Sequence, residues 1–124
     1  MYFGLSEDQL FFQDNVSRFL EDNASLDVIK KITEGEGKNL QKEIDGGLVN
    51  LGINSLLVPE EYGGLDLNLL FAAAVSQSLG ENVAPFSFLS PYVMAPIALS
   101  HAASEEQKRK YLTGIAENKI KFAI

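Results

Sequence analysis

The chain has 124 residues, of which 46% are hydrophobic, and it contains no cysteine. This length allows one domain with a buried core, and the composition excludes a disordered protein, a disulfide scaffold and a thiolate enzyme. The formal net charge of −7 argues against nucleic acid as a partner, because its phosphate backbone repels a negative surface.

Targeting and metal-binding signals are missing from the sequence. No stretch is long and apolar enough for a transmembrane helix, and no basic and apolar leader precedes a cleavage site. These features favour a soluble, cytoplasmic protein, or one whose targeting segment is absent from this sequence. His101 is the single histidine. Without a second histidine or a cysteine nearby, we expect it to be solvated or capping rather than a metal ligand.

Helical spacing of apolar residues and capping residues predict about six helices. Ser6 begins the first helix and forms a capping box with Gln9, and Ser104 begins the sixth and forms the same box with Gln107. The predicted spans are approximately 7–22, 26–33, 40–51, 67–79, 91–102 and 105–116.

The fourth and fifth predicted helices have the least regular boundaries. The fourth is apolar nearly all round and should be the most buried helix. Asp66 is expected to cap it and Gly80 to end it. Ser90 and Pro91 are typical of an N-cap followed by a first helical residue, and Pro96 is expected to kink the fifth helix.

The third helix contains Gly46 and Gly47, so either a close neighbour needs the space or the helix is locally weak. Residues 51–64, LGINSLLVPEEYGG, then form a connection around a buried apolar knot. Glu60 and Glu61 in this loop are poor candidates for an acid/base pair, because adjacent side chains on an exposed turn point apart. The sequence also lacks a phosphate loop and a nucleophile–base pair. From its residues, the chain is an all-helical acidic domain without a visible active site.

The end of the chain has a different pattern. Residues 119–124, KIKFAI, alternate charged and apolar side chains in the manner of a β-strand. No partner strand is predicted elsewhere, so we expect residues 1–118 to form the helical domain and 119–124 to begin a missing β domain. The predicted fold class is all-α, an orthogonal or up-down bundle with the start of a β-strand at the C-terminus.

Three sequence boxes occur in the order of one known family. Residues 51–67, LGINSLLVPEEYGGLDL, resemble the PEEYGG segment of the acyl-CoA dehydrogenase family, in its N-terminal helical domain. Residues 5–9, LSEDQ, resemble the opening of that domain, and residues 104–112, SEEQKRKYL, resemble a box near its end. The resemblance covers essentially the whole chain. Ala103 departs from it, since the family usually has glycine there.

The resemblance implies an activity that this chain would not perform alone. Family members are much longer, with a helical domain, a β domain and a helical bundle. They use FAD to oxidise an acyl-CoA between its α and β carbons, and their catalytic base usually lies in the bundle. The implied cofactor is therefore FAD, and the implied partners are acyl-CoA and an electron-transfer protein. No catalytic residue or metal ligand is assigned within this chain, which we expect to be inactive by itself.

The same resemblance implies which residues contact the ligands. The family's acyl chain runs along the segment that matches residues 86–94, so the implied substrate-binding residues are Phe86, Leu89, Ser90 and Met94. Packing in the core is the alternative for all of them. The prolines in this segment make it similar to divergent members that act on bulky acyl groups. The implied cofactor-binding residues, at positions that lie along the flavin, are Phe122 and Ile124.

Two other classes of function are compatible with the sequence. The chain could be a non-catalytic helical interaction module, or an inactive partner subunit of a heteromeric dehydrogenase. A reading frame that continued into a flavin motif and a glutamate-bearing bundle would favour the enzyme. We also expect a homo-oligomer, because exposed apolar residues around Met94 and Phe122 would favour association.

Overall fold

The computed structural model describes residues 3–124, and the all-α fold class is confirmed. The six α-helices are α1 (Glu7–Asn23), α2 (Leu26–Thr33), α3 (Lys38–Asn50), α4 (Leu69–Glu81), α5 (Ala95–Ala102) and α6 (Glu105–Ala116). A 3-10 turn covers Glu60–Tyr62, and a π-helical segment covers Leu89–Met94. Residues 3–124 contain no β-strand. None of their helices is long and apolar enough to cross a membrane.

The chain divides into two compact units, and α4 passes from one into the other. The first unit is Met1–Leu51 with Ala73–Phe86, and the second is Gly52–Ala72 with Ser87–Ile124. The division therefore follows the fold rather than a point near residue 118. The predicted boundary between a helical domain and a β domain stays a prediction.

In the first unit, α1 and α2 pack against α3. The first capping box is confirmed, because Ser6 Oγ accepts the N–H of Gln9 while Gln9 Oε1 accepts the N–H of Ser6. The main apolar positions of α1 and α3 recur every four residues and are buried: Val16, Leu20, Ile44 and Leu48. Each helix therefore buries one stripe, as its amphipathic pattern predicts.

The glycine pair inside α3 has two different explanations. A Cβ added to Gly47 would overlap the ring of Phe19 on α1, so this glycine lets the two helices approach each other. A Cβ added to Gly46 would meet nothing within 4 Å. Gly46 therefore only weakens the helix, since glycine is about 1 kcal/mol less favourable than alanine in a helix interior.

The start of α4 differs from the prediction. Asn68 caps this helix, because its Oδ1 accepts the N–H of Leu70 at 3.0 Å. Asp66 instead adopts a left-handed conformation in the preceding loop, with φ of 51°. Leu69 and Leu70 are more than half exposed, so the helix is not covered all round. It nevertheless has more buried residues than the other described helices: Ala72, Ala74, Val75, Ser78 and Leu79.

The end of α4 also differs from the prediction. The helix continues through Gly80, and the left-handed residue that closes it is Val83, with φ of 51°. The N–H of Val83 donates to the Gly80 carbonyl, and the N–H of Ala84 donates to the Leu79 carbonyl, which is the hydrogen-bond pair of a Schellman motif. Glycine usually occupies this position. Valine there carries about 1–2 kcal/mol of backbone strain.

In the second unit, residues 52–68 form a loop folded on itself. Its apolar knot is confirmed, with Ile53, Leu56 and Val58 all fully buried. Backbone N–H groups from the returning half of the loop donate to carbonyls in its first half, including Asp66 to Val58 at 3.0 Å. A Cβ on Gly64 would overlap the backbone of Val58, so only glycine allows this return.

The same loop binds both ends of α6. At the C-terminal end, the buried Asn54 side chain donates from Nδ2 to the carbonyls of Ile115 and Ala116, both at 3.0 Å. At the N-terminal end, the Tyr62 hydroxyl donates to the Glu105 carboxylate at 3.1 Å. The last carbonyls of a helix have no partner within the helix. Asn54 supplies a donor to the Ala116 carbonyl and a second donor to the Ile115 carbonyl, which also accepts the N–H of Asn118.

The Tyr62–Glu105 contact shifts the pKa of both groups. Burial, reinforced by the Glu105 carboxylate, raises the pKa of Tyr62 above its usual range. The hydrogen bond from Tyr62, assisted by Lys108, lowers the pKa of Glu105. Glu105 therefore contributes stability above its usual pKa and loses it as the pH falls through the lowered value. Tyr62 loses its contribution only as the pH rises through its raised value, so the contact persists across the neutral range.

The sixth helix matches its predicted bounds and capping box. Ser104 Oγ accepts the N–H of Gln107, and Gln107 Oε1 accepts the N–H of Ser104. After α6, Asn118 is left-handed with φ of 55°, and its N–H donates to the Ile115 carbonyl at 3.0 Å. Asparagine tolerates this conformation well. It directs residues 119–124 back along the second unit.

The two glycines of α3 provide a matched pair of substitutions. We expect Gly46→Ala to raise the free energy of unfolding by about 0.5–1 kcal/mol, because it removes backbone freedom without a clash. We expect Gly47→Ala to lower it by about 1–3 kcal/mol, because the added methyl group overpacks against Phe19. Urea unfolding monitored by circular dichroism measures both. Equal effects at the two positions would contradict this assignment of the close contact.

Substitution of Asn54 tests the loop–helix connection. We expect Asn54→Ala to lower the free energy of unfolding by about 1–3 kcal/mol, because it removes two hydrogen bonds to the end of α6 and leaves the Ala116 carbonyl without the Asn54 donor. Asn54→Asp should be no better, since it places acceptor oxygens against acceptor oxygens. Asn50→Ala, at an exposed position that ends α3, should change stability by less than about 0.5 kcal/mol. Thermal unfolding would contradict the prediction if the Asn54 and Asn50 variants behaved alike.

Candidate functional site

The second unit contains five of the six residues implicated by the family resemblance. Leu89, Ser90 and Met94 lie in the π-helical segment, and Phe122 and Ile124 lie in the C-terminal tail, residues 119–124. The two groups are in direct contact, because Ser90 Oγ accepts the backbone N–H of Ile124 at 2.8 Å. The structure therefore joins a residue predicted for substrate with a residue predicted for cofactor.

Phe86 belongs to the first unit. It ends the second segment of the first unit and is half-buried there. The neighbouring Pro85 is held by the Gln41 side chain, whose Nε2 donates to the Pro85 carbonyl at 2.7 Å and to Asp45 at 2.8 Å. The role of Phe86 in substrate binding, together with Leu89 and Met94, stays a prediction.

The π-helical segment replaces the predicted start of the fifth helix. Ser90 does not act as an N-cap, because its hydroxyl bonds to the tail rather than to a helical N–H. The N–H of Ala95 donates to the Ser90 carbonyl, five residues back. Pro96 supplies a physical reason, since its ring would clash with the carbonyl four residues earlier, that of Tyr92, in a regular α-helix. Widening the turn ahead of Pro96 relieves this clash, so the predicted kink takes the form of a π-to-α change.

The π turn determines which side chains share a face. In an α-helix, which turns about 100° per residue, Leu89 and Met94 would lie about 140° apart. The π hydrogen-bond pattern widens the turn, so residues five apart lie closer to the same side than they would in an α-helix. Leu89 is 59% exposed and Met94 is 49% exposed, so both present apolar surface. The segment thus offers a pair of exposed apolar side chains on one side.

The C-terminal tail packs against other parts of the second unit. It forms no β-strand within the described residues 3–124. A Cβ on Gly114 of α6 would collide with the Ile120 side chain, so these residues are tightly packed. The rings of Tyr111 and Phe122 meet edge to face, with centroids 5.4 Å apart. The Lys121 ammonium lies 5.7 Å from the centre of the Tyr92 ring. These contacts place the tail along α6 and the π-helical segment.

An open apolar groove runs between α5 and the tail. Its volume is about 260 Å³, slightly less than the range usual for a pocket that holds a whole small molecule. The residues that line it are Ala95, Ala98, Leu99, Ala102, Ala103, Phe122 and Ile124. None of them carries an ionisable or nucleophilic side chain, so the groove can contact a ligand but offers no group for acid/base or covalent chemistry.

The remaining candidate residues of the sequence give no second site. Glu60 and Glu61 are exposed on the 3-10 turn, and His101 is exposed in the last turn of α5. Within residues 3–124, no group of three or more His, Cys, Asp or Glu side chains is placed to hold a metal ion.

Sequence reasoning missed the interactions that position the site. It assigned Ser90 to a helix cap or to the substrate, and it assigned no role to Asn54. Both residues form hydrogen bonds to the backbone of segments far away in the sequence, and such pairs have no local pattern. The signal that could have revealed the π turn is the pair of prolines five residues apart, Pro91 and Pro96.

Comparison with known proteins gives consistent matches. The family model described as "Acyl-CoA dehydrogenase, N-terminal domain" matches residues 6–119. A "Probable acyl-CoA dehydrogenase" of Bacillus subtilis (strain 168) is 28% identical over 106 residues, which are 82% of this chain and 18% of the relative. A solved structure described as "Electron transferring flavoprotein of Acidaminococcus fermentans: Towards a mechanism of flavin-based electron bifurcation" has a TM-score of 0.74 and 25% identity, over 98% of this chain and 32% of that chain.

Proposed function

Because the chain belongs to the acyl-CoA dehydrogenase family through that family's N-terminal domain, we propose that it is one domain of a flavin-dependent acyl-CoA dehydrogenase. In this reaction a base removes a proton from the α carbon of the acyl group, and a hydride leaves the β carbon for FAD. The chain spans only 18% of the curated relative and 32% of the structural neighbour, so the base and most of the flavin site are assigned to the rest of such an enzyme.

The contribution of this domain is to form a wall of the acyl site. The observation that carries this proposal is the exposed pair Leu89 and Met94, placed on one face by the π turn and joined through Ser90 to Ile124. Apolar side chains lower the free energy of a bound alkyl chain by removing its surface from water. Met94 is suited to irregular or bulky groups because its side chain is unbranched and flexible.

The tail is proposed to approach the flavin. Phe122 and Ile124 line the apolar groove, and neither has a polar side chain that could take part in hydride transfer. Their proposed role is to provide an apolar surface next to the cofactor and to exclude water from it. FAD would supply the redox chemistry, and this domain would contribute part of the surface that surrounds the cofactor.

A second function is an inactive partner subunit in a heteromeric redox assembly. The description of the structural neighbour as an "Electron transferring flavoprotein" supports this alternative. The two functions differ in the acyl site. A dehydrogenase domain needs a wall that contacts the acyl chain, whereas a non-catalytic partner does not.

A titration with acyl-CoA tests the proposed acyl wall. The chain contains two methionines, so the methyl signal of Met94 can be assigned by substitution in ¹³C-methyl spectra. We expect a long-chain acyl-CoA to shift this signal in a saturable manner, because the alkyl chain packs against the Met94 side chain. CoA without an acyl group is the control and should leave the signal unchanged.

A turnover assay and the negative outcomes of the titration also bear on the proposal. With FAD and an artificial electron acceptor added, the chain alone should show no turnover above the buffer control, since the base and most flavin contacts are assigned to the other domains. Turnover would refute the assignment of the catalytic groups to other domains. An unchanged Met94 signal, or an equal shift with CoA alone, would contradict the acyl wall and favour the partner-subunit function.

We also propose that the isolated chain associates with a second copy through the exposed apolar pair. Met94→Asp should weaken self-association by introducing a charge into the contact, whereas Leu65→Asp is a matched control in the same unit. The two side chains are similarly exposed, at 49% and 46%. Sedimentation equilibrium at micromolar concentration measures the effect. A monomeric wild-type chain, or equal effects of the two substitutions, would exclude this contact.

A further inference from the structure

Ser90 accepts hydrogen bonds through both its side chain and its backbone carbonyl. Its hydroxyl accepts the N–H of Ile124 at 2.8 Å, and its carbonyl accepts the N–H of Ala95. We propose that Ser90 is a positioning residue, which fixes the backbone of the C-terminal tail at Ile124, rather than a residue that lines the acyl site. The significance of this placement rests on the proposed function, in which the tail lies along the flavin.

The π turn is what allows Ser90 to perform this role. Ser90 and Ala95 are five residues apart and are joined by the π hydrogen bond, so they lie on the same side of the turn. Ala95 lines the groove together with Ile124, which shows that this side faces the tail. Leu89 and Met94, each one residue earlier, share the adjacent face. The same turn of helix therefore presents two faces, one toward the tail and one toward the proposed acyl chain.

The N–H groups of Lys119 and Ile120 both donate to the Gly114 carbonyl and orient the start of the tail. The Ile124–Ser90 bond orients its other end, beyond the side-chain packing of Ile120 and Phe122. Ile120 packs against Gly114, and Phe122 packs edge to face on Tyr111. Apolar contacts hold a segment against a surface but depend weakly on its orientation. A hydrogen bond requires both a short distance and alignment of the donor. The bond at Ile124 therefore fixes the direction of the backbone at the end of the tail.

Two substitutions of equal shape test the role of the hydroxyl. Threonine keeps the hydroxyl at position 90, and valine replaces it by a methyl group, so the comparison separates the hydrogen bond from packing. In the ¹⁵N-labelled chain, we expect amide exchange of Ile124 to be about fivefold to tenfold faster in Ser90→Val than in Ser90→Thr, which corresponds to the loss of one ordinary hydrogen bond. Ser90→Thr should resemble the wild type.

Steady-state ¹⁵N–¹H Overhauser effects provide the second measurement. Residues 122–124 should become more mobile in Ser90→Val only, while the edge-to-face contact of Phe122 with Tyr111 remains. Ser87→Ala, at an exposed neighbouring serine, is the control and should change neither readout. Equal exchange and equal mobility in the threonine and valine variants would overturn the proposal. Neither measurement uses flavin or acyl-CoA, so the result is independent of the Met94 titration that tests the proposed function.

Discussion

The hydrogen bonds from Asn54 and Tyr62 to the two ends of α6 are the interactions on which the second unit depends. They attach the helix to a loop that has no regular secondary structure apart from a 3-10 turn, and that loop is stable because its apolar knot is fully buried. The end of α6 in turn determines where Asn118 turns the chain. The placement of the tail, and with it the Ile124–Ser90 bond, follows from how α6 is held.

The sequence predicts those parts of the fold that depend on neighbours three or four residues apart. The capping boxes that start at Ser6 and Ser104 are both present, and all six predicted helices exist. The errors at α4 concern which residue occupies each capping position: Asn68 rather than Asp66 at its start, and Val83 rather than Gly80 at its end. At the end of α4, the hydrogen-bond pair of the Schellman motif holds Val83 in a conformation that its own side chain disfavours. Because glycine is the residue expected at a left-handed closing position, the residue type of Val83 does not predict that outcome.

At the candidate site, the sequence indicates which segments matter but not which distant residues they contact. The family resemblance pointed to residues 86–94 for the substrate and to Phe122 and Ile124 for the cofactor, but it did not predict the contact between Ser90 and Ile124. Ser90 was predicted beside the substrate, and its bond to Ile124 joins residues 34 apart in the sequence. Asn54 and the carbonyls that it satisfies are separated by 61 and 62 residues. Contacts of this kind arise only after the helices have packed, so helical spacing and residue type contain no trace of them.

In the proposed enzyme, a domain that contributes only an apolar surface can still determine which acyl groups bind. An apolar wall discriminates between acyl chains by about 1–3 kcal/mol for each methylene group that it does or does not cover. That discrimination would depend, in the proposed enzyme, on the positions of Leu89 and Met94, which lie in the π turn ahead of Pro96. An α-helical turn would separate the two side chains by about 140° and divide the apolar surface. In the proposed enzyme, Pro96 and the hydroxyl of Ser90 therefore act through geometry: Pro96 shapes the wall, and the hydroxyl holds the tail next to it.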